Sequence, residues 1–360
     1  MVRFNTSRRY FHTFDALRFF SFLLVFFQHL PGSGFRIVDF FQKSGEVGVS
    51  FFFVLSGFLI TYILLYEKTT KEKIKLKNFF IRRILRIWPL FYVMILFAFI
   101  SPFILQYLNL PHSNEGYAPN WFASIFFGEN YKMMIEGTFP DGAPLRIMWT
   151  LCVEEHFYII WGLALYFLPT RKVPNLIVLS IIIANVTRVI YLNLHIPMLD
   201  IFSNIDYFAY GAIPAYLIIF KPKAMEYINT ISLYVKYLSL IFTVAIMFTL
   251  PNYPSSLTTL LSPTIMSVFF VVIILFTLTP RSIYIKDSNI MSKLGVFTYG
   301  LYLYHTIVII FIMQVLKKLP FDLNWLTLAI ISLVITVLIS IVSYHLFEKQ
   351  FLKLKKYFYR

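Results

Sequence analysis

The sequence predicts an all-α fold: a polytopic membrane helix bundle of about ten transmembrane helices, with both termini in the cytoplasm. Three observations predict it. The 360 residues are 59% hydrophobic and 19% aromatic, with a mean hydropathy of +0.72. Only 14% are charged, against about 25% in a soluble domain, so a soluble globule would lack the polar surface to cover itself. Finally, Lys and Arg alternate between dense and sparse gaps along the chain. A cytosolic enzyme and a disordered chain are thereby set aside.

A spanning helix needs about 20 mostly apolar residues. Windows of that kind fall at roughly 14–31, 46–66, 81–108, 149–168, 174–194, 205–220, 231–250, 261–279, 294–316 and 324–347. The sixth is the shortest, and the last two are long. No internal repeat is visible, which speaks against a transporter built from inverted repeats. The first apolar run contains charges and has no small-residue cleavage site behind it, so the amino terminus does not read as a cleavable signal.

The gaps before the first span and after every even-numbered one hold 23 of the 32 Lys and Arg residues, from Arg3, Arg8 and Arg9 to Arg360. The opposite gaps hold six: Arg36, Lys43, Lys132, Arg146, Lys317 and Lys318. The positive-inside rule places the first set in the cytoplasm and makes the number of spans even. The net charge of +15 then reflects basic loops facing anionic lipid and cytoplasm. Nucleic-acid binding would need a basic patch with interleaved aromatics on one surface, and the basic residues are spread over loops. The single Cys152 excludes a disulfide framework and a Cys-based zinc site. The largest outer loop, about 109–148, carries Glu115, Glu129, Glu136 and Asp141 and is placed to cover an outward-facing site.

An ionisable residue within a span costs a few kcal/mol, so it needs a partner or a function. Arg18 and His29 are eleven residues apart. At ~100° per residue they share one helix face, about 16 Å apart along the axis. Asp15 lies near that face and also reads as a structural partner of Arg18. Glu154 and Glu155 stand together at the mouth of the fourth span. Glu154 shares a face with Tyr158 and Trp161, which turns it toward the bundle. A carboxylate near His29 would set its tautomer and raise its basicity. An acidic cap on the helix N-terminus is the other reading. Arg83 and Arg86 are one turn apart at the cytoplasmic face, and two guanidiniums there suit a phosphate or pyrophosphate, or lipid headgroups. Arg188 in the fifth span and Asp206, opening the sixth, pair with each other or line one cavity. Tyr299, Tyr302 and His305 recur every three residues on the ninth span. Ser56 and Gly57 in the second allow close helix approach.

Taken together, these motifs resemble the membrane acyltransferase-3 family, integral O-acyltransferases that modify bacterial polysaccharides. Arg18 and His29 match its Arg-x10-His motif. Val47-Gly48-Val49-Ser50-Phe51-Phe52-Phe53-Val54-Leu55-Ser56-Gly57-Phe58 is similar to its glycine-rich second span. Arg83-x-x-Arg86 followed by Trp88-Pro89, Trp149–Tyr158, Tyr299–His305 and Ser343–Lys349 resemble its further motifs, in the same order. Cys152 stands where Ser is usual, His156 where Gln is common, and Gln350 where Pro is usual; none of these removes a proposed catalytic group.

The resemblance implies a single integral membrane acyltransferase domain over residues 1–360, with no separate soluble domain, in the inner (cytoplasmic) membrane. It implies transfer of an acyl group, most often acetyl, from cytoplasmic acyl-CoA to a hydroxyl of a cell-surface or exported carbohydrate or a small acceptor. His29 would be general base or acyl carrier, oriented by Glu154 or, as second candidate, Glu155. Arg83 and Arg86 would hold the CoA phosphates, and Arg18, with Asp15, would guide the pantetheine arm. Arg188, Asp206, Tyr302 and His305 are the acceptor or cavity residues. Acyl-CoA, with acetyl-CoA favoured, is a co-substrate; no bound cofactor or metal and no nucleic acid is expected, and membrane lipids are the surroundings. The competing reading is a polysaccharide or lipid transporter lined by the same charges. A degenerate structural or sensory scaffold would have lost Arg18 or His29, and both are present.

Overall fold

The computed structural model describes residues 9–109, 116–141, 143–318 and 323–358. Arg3, Arg8, Glu115 and Arg360, which entered the charge pattern above, lie outside these residues. The described chain is helical, with one isolated bridge between Tyr117 and Pro140.

Four helices open the chain: α1 (Thr13–His29), α2 (Arg36–Gln42), α3 (Gly45–Thr70) and α4 (Leu76–Tyr107). Three short ones, α5 (Trp121–Ile125), α6 (Glu129–Glu136) and α7 (Ala143–Arg146), form the loop before α8 (Trp149–Phe167). Then come α9 (Val173–Leu194), α10 (Ile201–Phe220), α11 (Pro222–Thr230), α12 (Leu233–Thr249) and α13 (Ser256–Thr277). The series ends with α14 (Ile290–Gly295), α15 (Thr298–Leu316), α16 (Trp325–Ser343) and α17 (Lys349–Leu354), the last two joined by a π-helical turn, Tyr344–Glu348.

The boundaries follow local chemistry. α1 stops at His29 because Leu30 is extended, the conformation a residue before proline prefers. α10 starts earlier than hydropathy alone suggests. Asp200 caps it by accepting from the Ser203 amide, so Asp206 lies more than a turn inside the helix and not at its opening. The ninth expected span is split, because α14 ends at Gly295 and α15 begins at Thr298.

Among the described residues, seven helical stretches are long and apolar enough to cross a membrane, where the hydropathy reading expected about ten: 36–70, 76–107, 170–194, 233–252, 256–277, 298–316 and 325–358. The other three expected spans are helices α1, α8 and α10. α1 has only 17 residues. α8 contains Glu154, Glu155 and His156, and α10 contains Asn204 and Asp206. All three pack on α3. α1 thus falls short on length, and α8 and α10 because they carry polar groups, which they can carry because they face protein.

α3 is the centre of the bundle, in contact with α1, α8, α10 and α13. Its glycines let backbones meet. A Cβ at Gly57 would lie 2.1 Å from the Phe208 carbonyl oxygen of α10, and one at Gly211 would lie 2.0 Å from that of Val54. With no hydrophobic force between helices in lipid, such close approach supplies the packing. The apolar side chains left exposed, such as Val178, Leu179 and Ile182 of α9 and Val334 and Leu338 of α16, form the faces available to lipid.

Arg188 and Asp206 pair across α9 and α10. The guanidinium donates to both carboxylate oxygens at 2.7 and 2.5 Å, and the side chains are 2% and 0% exposed. Leaving one charge of a buried pair costs about 3–5 kcal/mol, whereas apolar replacement of both is often neutral. Arg188→Met is therefore expected to destabilise the protein by about that amount in detergent unfolding, and the double variant Arg188→Met/Asp206→Leu to recover most of the loss.

Candidate functional site

α1 sets the axis of the site. Arg18 Nη1 donates to Asp15 Oδ1 at 2.6 Å, the i,i+3 pairing its sequence spacing suggests. Tyr10, just before the helix, donates its hydroxyl to Asp15 Oδ2 at 3.0 Å. Partial burial and the Asp15 carboxylate push the Tyr10 phenol up to about 12, so it stays a donor across the physiological range.

A cavity of about 470 Å³ opens on this cluster. Asp15, Arg18, Arg83 and Arg86 line it together with Ser56, Glu154 and Tyr158, and it continues to Thr150, Tyr299 and Tyr302. Asp15, Arg18, Arg83, Arg86 and Glu154, selected in the sequence from three separated segments, thus meet at one place. The arginines of α4 divide by face. Arg82 turns away, donating to the Phe358 carbonyl at 2.6 Å and pairing with Glu67 at 3.4 Å. Arg83 and Arg86 turn inward, and Arg86 is exposed to the cavity. Positive charge with an open mouth is a binding surface for phosphate oxygens.

Glu154 faces the bundle, as its spacing from Tyr158 suggests. It accepts from Ser56 Oγ at 2.8 Å and from the Tyr158 hydroxyl at 3.0 Å. These are its partners in place of the expected His29. Glu155, about 100° round the helix, turns out of the cavity and accepts from Trp88 Nε1 at 3.3 Å. Neither carboxylate hydrogen-bonds His29.

His29 is instead beside His305. His305 Nε2 is 3.4 Å from His29 Nδ1, and the rings meet edge to face with centroids 4.9 Å apart. His29 Nδ1 is also 2.8 Å from the Val25 carbonyl. A carbonyl only accepts, so Nδ1 carries the proton and Nε2 is the lone-pair nitrogen. His29 is exposed, whereas His305 is fully buried.

One layer of side chains separates the cavity from this histidine pair. Val25, Ile147 and Tyr302 pack together with Val49 and Phe52 against them; Val49, Phe52 and Tyr302 also line the cavity. The Tyr302 hydroxyl lies 2.8 Å from Thr150 Oγ1 and donates to the Ile147 carbonyl at 3.2 Å. Tyr302, within the layer, is one turn from His305 on α15, with the ring centroids 5.7 Å apart. Arg188 and Asp206, paired between α9 and α10, do not line this cavity.

The loop between α4 and α8 folds onto the helix ends. α6 packs on α8, α5 on α4, and α7 on α4 and α15. Glu129, 1% exposed, fixes it by accepting from the Tyr117 hydroxyl and from Ser124 Oγ at 2.6 Å. Burial and that carboxylate push the Tyr117 phenol well above its ordinary range.

Sequence reasoning missed Thr150, which only the tertiary fold brings to Tyr302, and Lys236. Lys236 is fully buried in α12, where its ammonium donates to Thr279 Oγ1 at 3.1 Å and to the Arg281 carbonyl. A single Lys in an apolar run was the signal available for it. Among the described residues no group of three or more His, Cys, Asp and Glu is arranged to hold a metal ion.

Comparison with known proteins bears on this arrangement. A family model described as an acyltransferase domain, that of the membrane acyltransferase-3 family, matches residues 11–345. The peptidoglycan O-acetyltransferase OatA of Listeria monocytogenes is 35% identical over 202 residues, 54% of this chain and 30% of the relative. The putative peptidoglycan O-acetyltransferase YrhL of Bacillus subtilis is 35% identical over 162 residues, 44% and 24% of the two chains. The O-acetyltransferase OatA of Staphylococcus aureus is 30% identical over 185 residues, 50% and 28%. The matched segments thus span about a quarter to a third of these curated relatives. No solved structure matches the chain. With a family match across nearly the whole chain, and its motif residues gathered round one cavity, the chain belongs to the membrane acyltransferase-3 family.

Proposed function

We propose that this protein transfers an acyl group, acetyl by preference, from cytoplasmic acyl-CoA to a hydroxyl of an exported or cell-surface carbohydrate. The observation that carries the reading is the single cavity in which Asp15, Arg18, Arg83, Arg86 and Glu154 converge and whose far end is one side-chain layer from His29. The relatives named as peptidoglycan O-acetyltransferases favour a cell-wall glycan as acceptor. A transporter would have no need of two inward guanidiniums at one mouth and a base nitrogen at the other.

In this reading Arg83 and Arg86 hold the phosphates of the donor, and Arg18, kept in place by Asp15, guides the pantetheine arm. Glu154 accepts from an amide N–H of that arm. The thioester reaches His29 when the Tyr302 and Phe52 layer moves aside. His29 Nε2 then takes the proton of the acceptor hydroxyl as its oxygen attacks the thioester carbonyl carbon. The C–S bond breaks, and the CoA thiolate leaves with the proton His29 accepted. An ester and free CoA thiol result. The same geometry accommodates a transient acyl-imidazole at Nε2.

We also infer that α1, α8 and α10 cross the inner membrane with the seven longer stretches, which makes ten spans with both termini cytoplasmic. The distribution of 23 basic residues against six supports this. Cysteines placed at Lys223 and Lys317 test it: an impermeant maleimide should label Lys317→Cys in intact cells and Lys223→Cys only after permeabilisation. Labelling in the reverse order would overturn the topology.

The function itself is tested by mass spectrometry of surface glycans from cells with and without the protein. One acyl mass per modified sugar is expected only with it. In cells carrying Arg83→Ala/Arg86→Ala, acylation should fall by about tenfold or more, as expected for the loss of two charge-assisted phosphate contacts. Identical glycan masses in the presence and absence of the protein would refute the reading.

A further inference from the structure

The mechanism above uses His29 and leaves the fully buried His305 without a role. Its geometry is specific. His305 Nδ1 is 2.6 Å from the Tyr302 carbonyl, and a carbonyl only accepts, so the His305 proton sits on Nδ1. That leaves His305 Nε2 as a lone pair, and it is this atom that lies 3.4 Å from His29 Nδ1. The His29 proton is likewise held on Nδ1 by the Val25 carbonyl. The two carbonyls therefore fix both tautomers: His305 presents an acceptor to the N–H of His29, and His29 turns its own lone pair, Nε2, away from His305.

The surroundings preserve this arrangement. The His305 ring has no exposure and meets Phe22 edge-on at 5.8 Å and Tyr302 at 5.7 Å, so it is held by packing as well as by its hydrogen bond. The titratable groups on the other elements that pack on the outer part of α1 are Arg36 and Asp39 of α2, Lys43 just after it, and Glu46 at the start of α3. Asp39 accepts from the Ser33 amide and hydroxyl. Among the described residues, His305 is the titratable side chain in contact with His29. It occupies the place where the sequence suggested a carboxylate.

We propose that His305 is a positioning residue that accepts from His29 Nδ1–H beside the Val25 carbonyl, holds the ring in place and stabilises the imidazolium formed when His29 Nε2 accepts a proton. A neutral imidazole lone pair facing Nδ1–H favours the cation without introducing a negative charge beside the apolar layer. Hydrogen bonding to the charged form of a group favours that form, so His29 holds a proton more tightly with His305 present. The proposal rests on His29 being the reacting base, as read above, only for its consequence in catalysis.

The test separates the two. Diethyl pyrocarbonate acylates the unprotonated nitrogen of an exposed histidine, and cleavage after Arg18 and Arg36 releases a peptide in which His29 is the sole histidine. The rate of its modification in the purified protein is followed against pH by mass spectrometry. In His305→Phe the midpoint is expected to move to lower pH by about half a unit, a roughly threefold loss of proton affinity. In His305→Gln, whose amide oxygen can accept from His29 Nδ1–H, the midpoint should return toward that of the unaltered protein. Thermal unfolding of both variants checks that they fold, and Gln keeps the test alive if Phe does not. Equal midpoints in the unaltered protein and the folded variants would overturn the proposal. Failure of the acyl-transfer reading would instead appear as full transfer by His29→Ala, with the His305-dependent midpoint unchanged.

Discussion

The low-dielectric interior of a membrane bundle tolerates a polar group only with a partner, and that constraint organises this protein. Arg188 closes on Asp206, Arg18 on Asp15, Glu154 on Ser56 and Tyr158, and Lys236 on the end of α13 and the loop after it. Each pairing fixes one helix against another or orders a helix end. Desolvation makes an unpaired member costly, so the partners define which faces of α1, α8, α9 and α10 can turn inward. The glycines of α3 and α10 then bring the backbones close enough for these short polar contacts to form.

The same constraint divides the candidate site. Charge gathers at one mouth, where Arg86 remains exposed to the cavity and open to a ligand. Beyond it the reactive candidates are two imidazoles, each with a ring nitrogen against a backbone carbonyl. Between them lies an apolar layer built from Val25, Val49, Phe52, Ile147 and the ring of Tyr302. α15 contributes both to this layer, through Tyr302, and to the histidine pair behind it, through His305.

Much of this was legible in the sequence because helical periodicity reports faces. The shared face of Arg18 and His29, the inward turn of Glu154 beside Tyr158, and the one-turn spacing of Arg83 and Arg86 are all consequences of ~100° per residue. What periodicity cannot supply is the partner across the bundle. His29 meets His305 over 276 positions, Thr150 meets Tyr302 over 152, and Ser56 meets Glu154 over 98. A carboxylate was the natural expectation for the partner of His29, and the fold provides an imidazole. The hydropathy windows counted ten spans where seven stretches meet the length and apolarity needed, since the helices richest in site residues are the ones least apolar. The early start of α10 was signalled by Asp200 and Ser203, a capping pair that a hydropathy window passes over.

The account stands on the proposal that His29 faces outward and receives the acyl donor from the opposite side. Sealed inverted membrane vesicles test that most directly, with radiolabelled acetyl-CoA added to the cytoplasmic face and label counted in lumenal glycan. The account predicts incorporation with the unaltered protein and a loss of at least a hundredfold, on the order of general-base removal, with His29→Ala. Undiminished incorporation by His29→Ala, at equal protein level in the membrane, would contradict it.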